Sequence, residues 1–281
     1  MASILEKKLL RAPDVFYYRI AAPLISKKAR PGQFVIVRLH DRGERIPLSL
    51  ADIDPAAGTI SLIVMAVGKT TNEMAALNPG DALLDLCGPL GNPTELERVG
   101  KVVLVGGGFG AAPLFPIARG FKAAGNEVVT VMGARSKDLL IYEAELSQVS
   151  DRVVIATDDG SKGFKGIVTS ALKDELDQRG ANLVIAIGPA MMMRAVSETT
   201  RPLGIQTMVS LNPIMVDGTG MCGGCRVSVG NEMKFACTDG PEFNGHLVDW
   251  DLLQSRQRKY HHEQKESFET WKQKHNGVLC E

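Results

Sequence analysis

Three cysteines and one aspartate stand close together in the last quarter of the chain, in the pattern Asp217-x4-Cys222-x2-Cys225-x11-Cys237. Loops that hold a 2Fe–2S cluster use the spacing C-x4-C-x2-C with a distant fourth cysteine, which wraps four side chains around two irons. Asp217 takes the place of the first cysteine, and a carboxylate can replace a thiolate as an iron ligand. The pattern predicts a 2Fe–2S cluster held by these four side chains.

The glycines around these cysteines suit the same chemistry. Glycines at positions 218, 220, 223 and 224 let the backbone curl and direct its N–H groups at sulfur. A zinc ion could use the same four ligands, so the ligand count leaves zinc open. The spacing favours the cluster, because it matches a cluster loop and because zinc would give electrons no exit.

A glycine-rich turn follows an apolar run in the segment VVLVGGGFGAAP. In one register, Gly106-x-Gly108-x-x-Ala111 satisfies a dinucleotide fingerprint, in which glycines let the backbone approach a pyrophosphate at a helix N-terminus. In the other register, Gly108-x-Gly110-x-x-Pro113 resembles the G-x-G-x-x-P turn of the ferredoxin-NADP reductase family. A turn whose glycines serve only close packing is the structural alternative. The β-rich segment before the turn favours the reductase register.

Two later strand ends carry turn residues as well. The third strand of this region is predicted to end at Asp158 and the fourth at Gly188. Ligands of open α/β sheets bind beyond the carboxyl ends of the strands, so a nicotinamide crevice is expected there. Gly188-Pro189-x-x-Met192 looks like the C-G-P-x-x-M stretch of the same family, with Ile187 in the place of the cysteine.

Two stretches nearer the N-terminus have residue types that bind a flavin. Arg45-Ile46-Pro47-Leu48-Ser49 resembles the flavin-binding R-x-P-x-S/T stretch of this superfamily. An arginine offers a fixed fork of donors to a diphosphate, and a strand backbone with a serine hydroxyl can bond the isoalloxazine edge. Gly68-Lys69-Thr70-Thr71 then opens a predicted helix, whose N-terminus suits phosphate, although a capping threonine is also common there.

The chain is predicted to divide into several regions that position these motifs. Residues 1–98 contain short β-rich runs and are predicted to form an FAD-binding β-barrel. Residues 99–209 alternate strands and helices, which predicts a parallel α/β domain that binds NAD(H). Residues 210–250 are predicted to form a compact 2Fe–2S region, with VSVG and FACTDG as strands. Residues 251–281 form a charged tail with apolar residues at helical spacing, either solvated or docked against a partner.

Composition and charge exclude several classes of partner. Thirty-two basic side chains balance thirty-two acidic ones, so no net field draws the chain to nucleic acid or to an anionic membrane. The longest uncharged run is shorter than the ~20 residues of a spanning helix. The N-terminus lacks an apolar signal region, so a cytoplasmic location is expected. The crowding of three of the five cysteines favours metal ligation over disulfides.

Together, residues 1 to about 250 resemble the dihydroorotate dehydrogenase electron-transfer subunit family of the ferredoxin-NADP reductase superfamily. The resemblance implies a ferredoxin reductase-like FAD barrel, a parallel-sheet NAD-binding domain and a small 2Fe–2S appendage. It also implies that Ile63, Val64 and Met65 lie against the flavin through backbone contacts. The predicted ligand set of one aspartate and three cysteines resembles that of the small subunits of the NADH-dependent ferredoxin:NADP oxidoreductases, or sulfide dehydrogenases, within this family.

This resemblance implies a subunit of an NAD(P)H-dependent flavin iron–sulfur oxidoreductase. FAD would exchange a hydride with NAD(H) and pass single electrons through the 2Fe–2S cluster to a large partner. That partner would resemble a glutamate synthase small subunit with its own FAD and 4Fe–4S clusters, and the pair would bifurcate electrons among NAD(H), NADP(H) and ferredoxin. No side chain is expected to act as a general acid or base, because the cofactors supply the chemistry.

Other functions stay open at this point. The chain could be the electron relay of an NAD-dependent dihydroorotate dehydrogenase, whose partner is an FMN barrel, or a non-catalytic scaffold that binds zinc or a protein. The nicotinamide is also open, because Arg135, Ser136 and Lys137 could meet a 2′-phosphate or form a solvated turn. The resemblance favours NAD(H).

Overall fold

The computed structural model describes residues 1–11 and 13–274. The N-terminal strands bury a face of apolar side chains, and two of them, Phe34–Arg38 and Thr59–Met65, are buried along almost their whole length. In β2 (Val15–Ala21), Phe16, Tyr18 and Ile20 are buried while Arg19 is exposed. The other strands of this sheet are β1 (Ala2–Arg11), β3 (Phe34–Arg38), β4 (Ile46–Asp54), β5 (Thr59–Met65), β6 (Ala82–Leu83) and β7 (Asp85–Leu90). Two short helices accompany them, α1 (Pro23–Ser26) and α2 (Lys69–Ala76).

The seven strands form an antiparallel sheet in the order β6-β1-β2-β5-β4-β3-β7. The two edge strands β6 and β7 are separated in the chain only by Leu84, so the sheet must curve until its edges meet. The result is the predicted β-barrel, nearly closed. The long strand β1 was not among the predicted strands, because its segment ASILEKKLLR mixes charged and apolar residues without clear alternation.

A second sheet follows the barrel and is parallel over six strands. These strands are β8 (Lys101–Gly107), β9 (Glu127–Ala134), β10 (Arg152–Thr157), β11 (Phe164–Lys165), β12 (Leu183–Ile187) and β13 (Gln206–Ser210). They lie in the order β11-β10-β9-β8-β12-β13, and β16 (Glu242–Asn244) adds an antiparallel edge beside β13. The four predicted strands are confirmed as β8, β9, β10 and β12. Strand β13 was missed because three of the five residues in its QTMVS sequence are polar.

Helices cover both faces of this sheet, which explains the continuous apolar runs in its strands. They are α3 (Ala111–Ala123), α4 (Glu143–Val149), α5 (Val168–Arg179) and α6 (Ala190–Thr200). In β8, Val102 and Leu104 pack on one face with Leu114 of α3. Val103 and Val105 pack on the other face, in the core that includes α5 and α6. The predicted parallel α/β domain is confirmed.

The cysteine-rich region is an irregular loop followed by a hairpin of β14 (Arg226–Val229) and β15 (Glu232–Phe235). The prediction of a strand over FACTDG is wrong apart from its first residue. Its remaining residues form a turn, in which Asp239 N–H donates to Phe235 O at 2.8 Å and Phe235 N–H donates to Asp239 Oδ2 at 2.6 Å. The hairpin shares its core with the parallel-sheet domain.

Two helices end the described chain, α7 (Trp250–Gln257) and α8 (His261–Lys274). Asp249 caps α7 by accepting a hydrogen bond from Leu252 N–H at 2.9 Å. Most of α8 is exposed, but Trp271 is buried and the helix contacts α2 of the barrel. The last part of the predicted tail, residues 275–281, lies outside the described residues. Over residues 1–11 and 13–274, no helix has both the length and the apolar character to span a bilayer.

Candidate functional site

A cavity of about 920 Å³ lies between the barrel and the carboxyl ends of the parallel strands. Its walls come from β4 and β5 on one side and from the turns after β8, β9, β10 and β12 on the other. These turns are where ligands of open α/β sheets bind. The predicted residues that line it are Pro47, Leu48, Ser49, Ile63, Met65, Gly108, Gly110, Pro113, Arg135, Asp158, Gly188, Pro189 and Met192.

The glycine turn after β8 is a single 3₁₀ turn, Gly108–Gly110, that leads directly into α3. A Cβ on Gly110 would lie 2.0 Å from the carbonyl oxygen of Ile187, so close packing requires glycine there. Gly108 is different, because its φ is +52° and a Cβ would meet nothing within 4 Å. Packing therefore explains Gly110, whereas Gly108 gives the turn its left-handed conformation beside open space.

The cavity distinguishes the two registers of this motif. Gly108, Gly110 and Pro113 line it, whereas Ala111 is buried in the core between β8 and α3. The structure thus places the reductase-like register at the cavity wall. The preceding Gly107 packs against the start of α6, since a Cβ on Gly107 would lie 2.3 Å from Met192 Sδ.

On the barrel side, alternation along β5 separates the three predicted flavin neighbours. Ile63 and Met65 face the cavity, and Val64 is fully buried inside the barrel. On β4, residues 47–49 line the cavity, while Ile46 packs against the barrel core. Val64 and Ile46 can thus meet a ligand only through their backbone, as was expected for Val64.

Arg45 does not line the cavity. Its Nε donates a hydrogen bond to the carbonyl oxygen of Val216 at 3.0 Å, so it ties the barrel to the cysteine-rich loop. A role for Arg45 at a diphosphate stays a prediction.

The predicted phosphate-binding start of α2 also lies outside the cavity lining. Gly68 is the N-cap, and its N–H donates to Thr71 Oγ1 at 2.9 Å. The buried Thr70 hydroxyl donates to the Glu44 carboxylate. Thr71 therefore serves as a local cap in this structure, which was the structural alternative, whereas Thr70 contacts a distant residue, and the phosphate role of both threonines stays a prediction.

Backbone hydrogen bonds connect the turns after β9 and β10. Asp158 N–H donates to Ala134 O, and Asp159 N–H donates to Arg135 O, both at 3.1 Å. Arg135 and Asp158 therefore reach the cavity from one connected edge. Lys137 N–H donates to Ser161 Oγ at 2.8 Å, and Lys137 does not line the cavity.

Several lining residues were not predicted. Ser210, at the end of the unpredicted β13, and Asn212, just after it, contribute to the wall. Arg11 of β1 lines the barrel side, where its Nη2 donates to Asp14 Oδ1 at 2.7 Å and lies 3.6 Å from Met65 Sδ. Recognition of β13 as a fifth strand would have pointed to Ser210, whereas no local motif marks Arg11.

The cysteine-rich loop brings two of the predicted ligands together. Sγ of Cys225 lies 3.2 Å from Sγ of Cys237, and both residues are buried. Burial raises the pKa of Cys237, and its hydrogen bond with Cys225 adds to this. Two buried thiolates are therefore unfavourable without a compensating positive charge, which a bound metal supplies.

Cys222 and Asp217 form a second, more exposed pair. The N–H of Gly224 points at Cys222 Sγ, 3.5 Å away, and backbone N–H donors lower the pKa of this thiol. The charge of Asp217 opposes that shift, so the two side chains are electrostatically coupled. Asp217 Oδ2 accepts a hydrogen bond from Thr219 N–H at 3.1 Å, and the Thr219 hydroxyl lowers the pKa of the carboxyl group.

Of the four predicted ligands, Cys225 and Cys237 are in contact, and Asp217 interacts electrostatically with Cys222. Within the described part of the chain, no group of three or more His, Cys, Asp or Glu side chains is arranged to hold a metal ion. Three thiols and one carboxyl group are the number of ligands that a 2Fe–2S cluster requires, so the chemistry of these side chains fits it.

The loop is also fastened beside the cavity. Met215 lines the cavity two residues before Asp217. A Cβ on Gly218 would lie 2.7 Å from Leu90 and 2.9 Å from Ile36, so the loop packs directly on the barrel. The predicted cluster ligands thus follow the cavity wall immediately in the chain and in space.

Comparison with known proteins agrees with these features. Residues 104–198 match a family model described as the oxidoreductase NAD-binding domain, and residues 212–249 match the iron–sulfur cluster binding domain of dihydroorotate dehydrogenase B. A Thermotoga maritima protein, described as a homolog of the dihydroorotate dehydrogenase B electron transfer subunit, is 52% identical over 94% of this chain and 93% of its own length. The electron transfer subunit from Desulforamulus reducens is 34% identical over 89% of this chain and 100% of its own.

This chain belongs to the dihydroorotate dehydrogenase B electron-transfer subunit family. The prediction from the sequence is thereby confirmed, as is that of an oxidoreductase subunit with FAD, a 2Fe–2S cluster and NAD(H) as cofactors. An electron-transfer subunit of this family has a larger catalytic partner.

Solved structures support the same fold. A chain from a study of flavin-based electron bifurcation, the NADH-dependent reduced ferredoxin-NADP oxidoreductase, matches with a TM-score of 0.91 and 49% identity, over 96% of this chain and 97% of that one. A ferredoxin-NADP⁺ reductase from Neisseria gonorrhoeae, solved with FAD and NADP, matches with a TM-score of 0.62 and 19% identity over 72% of this chain and 90% of that one, which supports the fold only.

Proposed function

We propose that this chain is the small subunit of an electron-bifurcating NADH-dependent ferredoxin:NADP oxidoreductase in the cytoplasm. The observation that carries the proposal is the match, over almost the whole length of both chains, to the bifurcating oxidoreductase structure at 49% identity. Asp217 among three cysteines supports the same subgroup. With FAD and the cluster bound, the chain would exchange a hydride with NAD(H) at the flavin and single electrons with its partner through the cluster.

The residues of the cavity divide between two ligands. We assign Gly108, Gly110 and Pro113, with Arg135 and Asp158, to NAD(H), since they lie at connected strand ends. Gly188, Pro189 and Met192 complete that wall from the turn that packs on Gly107 and Gly110.

The barrel side is assigned to FAD. The backbone of residues 47–49 and of residues 63–65 faces the cavity or its edge, and Ser49 adds a hydroxyl. Arg45, Gly68, Thr70 and Thr71 stay assigned to the diphosphate. That role requires Thr70 to exchange the Glu44 carboxylate for phosphate, which is testable by substitution of Thr70.

Asp217, Cys222, Cys225 and Cys237 would hold the cluster, which would supply one-electron transfer. A carboxylate is a harder and weaker donor than a thiolate, so Asp217 would set the cluster's potential apart from that of an all-cysteine site. An Asp217→Cys variant should keep the cluster and change its spectrum and potential. An unchanged signal would remove Asp217 from the ligand set.

The proposed partner is a large subunit with its own FAD, 4Fe–4S clusters and an NADP(H) site, through which ferredoxin exchanges electrons. The second candidate is the relay of an NAD-dependent dihydroorotate dehydrogenase, which is supported by the names of the relatives at 52% and 34% identity.

Purification of the native complex separates the two functions. We expect a partner that holds FAD and 4Fe–4S clusters, and NADPH-driven reduction of ferredoxin that depends on NAD⁺. A partner with FMN as its only cofactor, together with NAD⁺-dependent oxidation of dihydroorotate, would reject the bifurcating complex in favour of the relay.

A further inference from the structure

Arg256, near the end of α7, contacts the cysteine-rich loop from the side of the C-terminal helices. Its Nη2 donates a hydrogen bond to the carbonyl oxygen of Gly224 at 3.1 Å, and Gly224 lies between Cys222 and Cys225. Its Nε is buried and has no hydrogen-bond partner in the part of the chain that the structure describes. Arginine keeps its charge at any working pH, so a permanent cation stands against this loop.

The hydrogen bond acts on the peptide group that joins Gly224 to Cys225. A trans peptide is planar, so its N–H points away from its C=O. By holding the carbonyl oxygen on the α7 side, Arg256 therefore directs Cys225 N–H to the opposite side. The N–H of Gly224 already approaches Cys222 Sγ at 3.5 Å. One guanidinium thus restrains the backbone between two proposed ligands.

Gln257, the next residue of α7, contacts the wall of the cavity as Arg256 contacts the cysteine-rich loop. Gln257 Nε2 donates to the backbone oxygen of Asn212 at 3.1 Å and to its Oδ1 at 2.9 Å, and Asn212 lines the cavity. Leu253 is buried one turn earlier and anchors the helix. Helix α7 therefore holds the cavity wall and the cluster loop at a set separation.

We propose that Arg256 is a positioning residue that raises the reduction potential of the cluster. Reduction adds one negative charge, and a fixed cation at the loop favours the more negative state. The restrained peptide keeps the loop N–H groups in place, which acts in the same direction. This inference rests on the proposed function, in that it requires Cys222 and Cys225 to be cluster ligands.

The test is an anaerobic redox titration of the full chain with its cluster, followed by low-temperature EPR. Arg256→Gln is compared with Arg258→Gln, which removes the same charge from an exposed position two residues further along the chain. We expect Arg256→Gln to titrate at lower potential, with the reduced-to-oxidised ratio at the wild-type midpoint about tenfold smaller. Arg258→Gln should titrate like the wild type. Identical midpoints for the two variants would overturn the proposal.

Arg256→Lys decides the case if Arg256→Gln fails to retain iron. Lysine keeps the charge but lacks the planar fork, so we expect a cluster with a midpoint near that of the wild type and altered g values. Wild-type g values and midpoint in Arg256→Lys would contradict the positioning role. A wild-type chain that binds no cluster would instead reject the ligand assignment of the proposed function, and this inference with it.

Discussion

The nicotinamide wall of the cavity and the cysteine-rich loop lie side by side but are built differently. The wall consists of turns between buried parallel strands and helices, and Gly110 packs so closely that a Cβ there would lie 2.0 Å from the carbonyl oxygen of Ile187. The loop contains Cys222 and Asp217 as a partly exposed pair and Cys225 and Cys237 as a buried one. The fold itself forms the first site, whereas bound iron must hold the second together.

The largest expected effect is on the loop. Cys225→Ser removes a buried ligand, so we expect loss of nearly all cluster iron and of the reduced-cluster EPR signal, while FAD stays bound. Cys87→Ser is the matched control, because Cys87 lies on β7 outside the loop. Iron analysis and EPR of both variants provide the check. Full cluster content with an unchanged EPR spectrum in Cys225→Ser would show that this cysteine is not a ligand.

A substitution in the nicotinamide wall should instead weaken NADH binding and leave the cluster in place. Gly110→Ala places a methyl group 2.0 Å from Ile187 O and must displace the turn, so we expect NADH binding to weaken by at least about tenfold while cluster content is retained. Gly204→Ala is the control, because it adds the same methyl group at a position with φ +64° where a Cβ would meet no atom within 4 Å. Titration of flavin reduction with NADH measures the difference. Equal NADH affinity in the two variants would reject the assignment of this turn.

Glu175 of α5 tests what stabilises the parallel-sheet domain behind the cavity wall. Its buried carboxylate lies 2.9 Å from Lys101 Nζ and is shared with Arg152 and Arg179. Glu175→Gln removes the buried carboxylate that these three cations share, so we expect unfolding of the parallel-sheet domain to become easier by about 3 kcal/mol. In the exposed Lys173–Asp177 pair, Asp177→Asn should cost less than about 0.5 kcal/mol. Chemical denaturation distinguishes them, and equal losses would contradict the burial argument.

The smallest effect concerns the junction of the two regions, at Glu242 of β16. Thr94 Oγ1 donates to its carboxyl group at 2.6 Å, and burial raises its pKa to about 7. The folded chain then binds more protons than the unfolded chain between pH 4.5 and 7, so this group's contribution to stability falls as pH rises through that range. Glu242→Gln should remove most of this pH dependence. A wild-type pH profile in Glu242→Gln would show that the carboxyl group titrates normally.

The same contrast explains what could be predicted from the sequence. The position of Gly108, Gly110 and Pro113 beside the cavity could be predicted, because a strand-turn-helix motif determines its own geometry within a few residues, while their binding of NAD(H) stays a prediction. Ser210 was missed because β13 is short and partly polar. Arg45 and Thr70 were assigned to phosphate, but their contacts with Val216 and Glu44 depend on distant packing. The cysteine spacing predicted four ligands, but it could not predict that Cys225 contacts Cys237, because that contact depends on how the loop packs against the barrel and β15.

Addition of NADH to the purified chain under anaerobic conditions tests the relay most directly. The optical spectrum follows the flavin, and low-temperature EPR follows the cluster in the same sample. We predict bleaching of the flavin absorbance together with the signal of a reduced 2Fe–2S cluster, both weakened in Gly110→Ala and only the second lost in Cys225→Ser. A bleached flavin with no cluster signal in the wild-type chain would contradict the claim that this polypeptide connects the two sites.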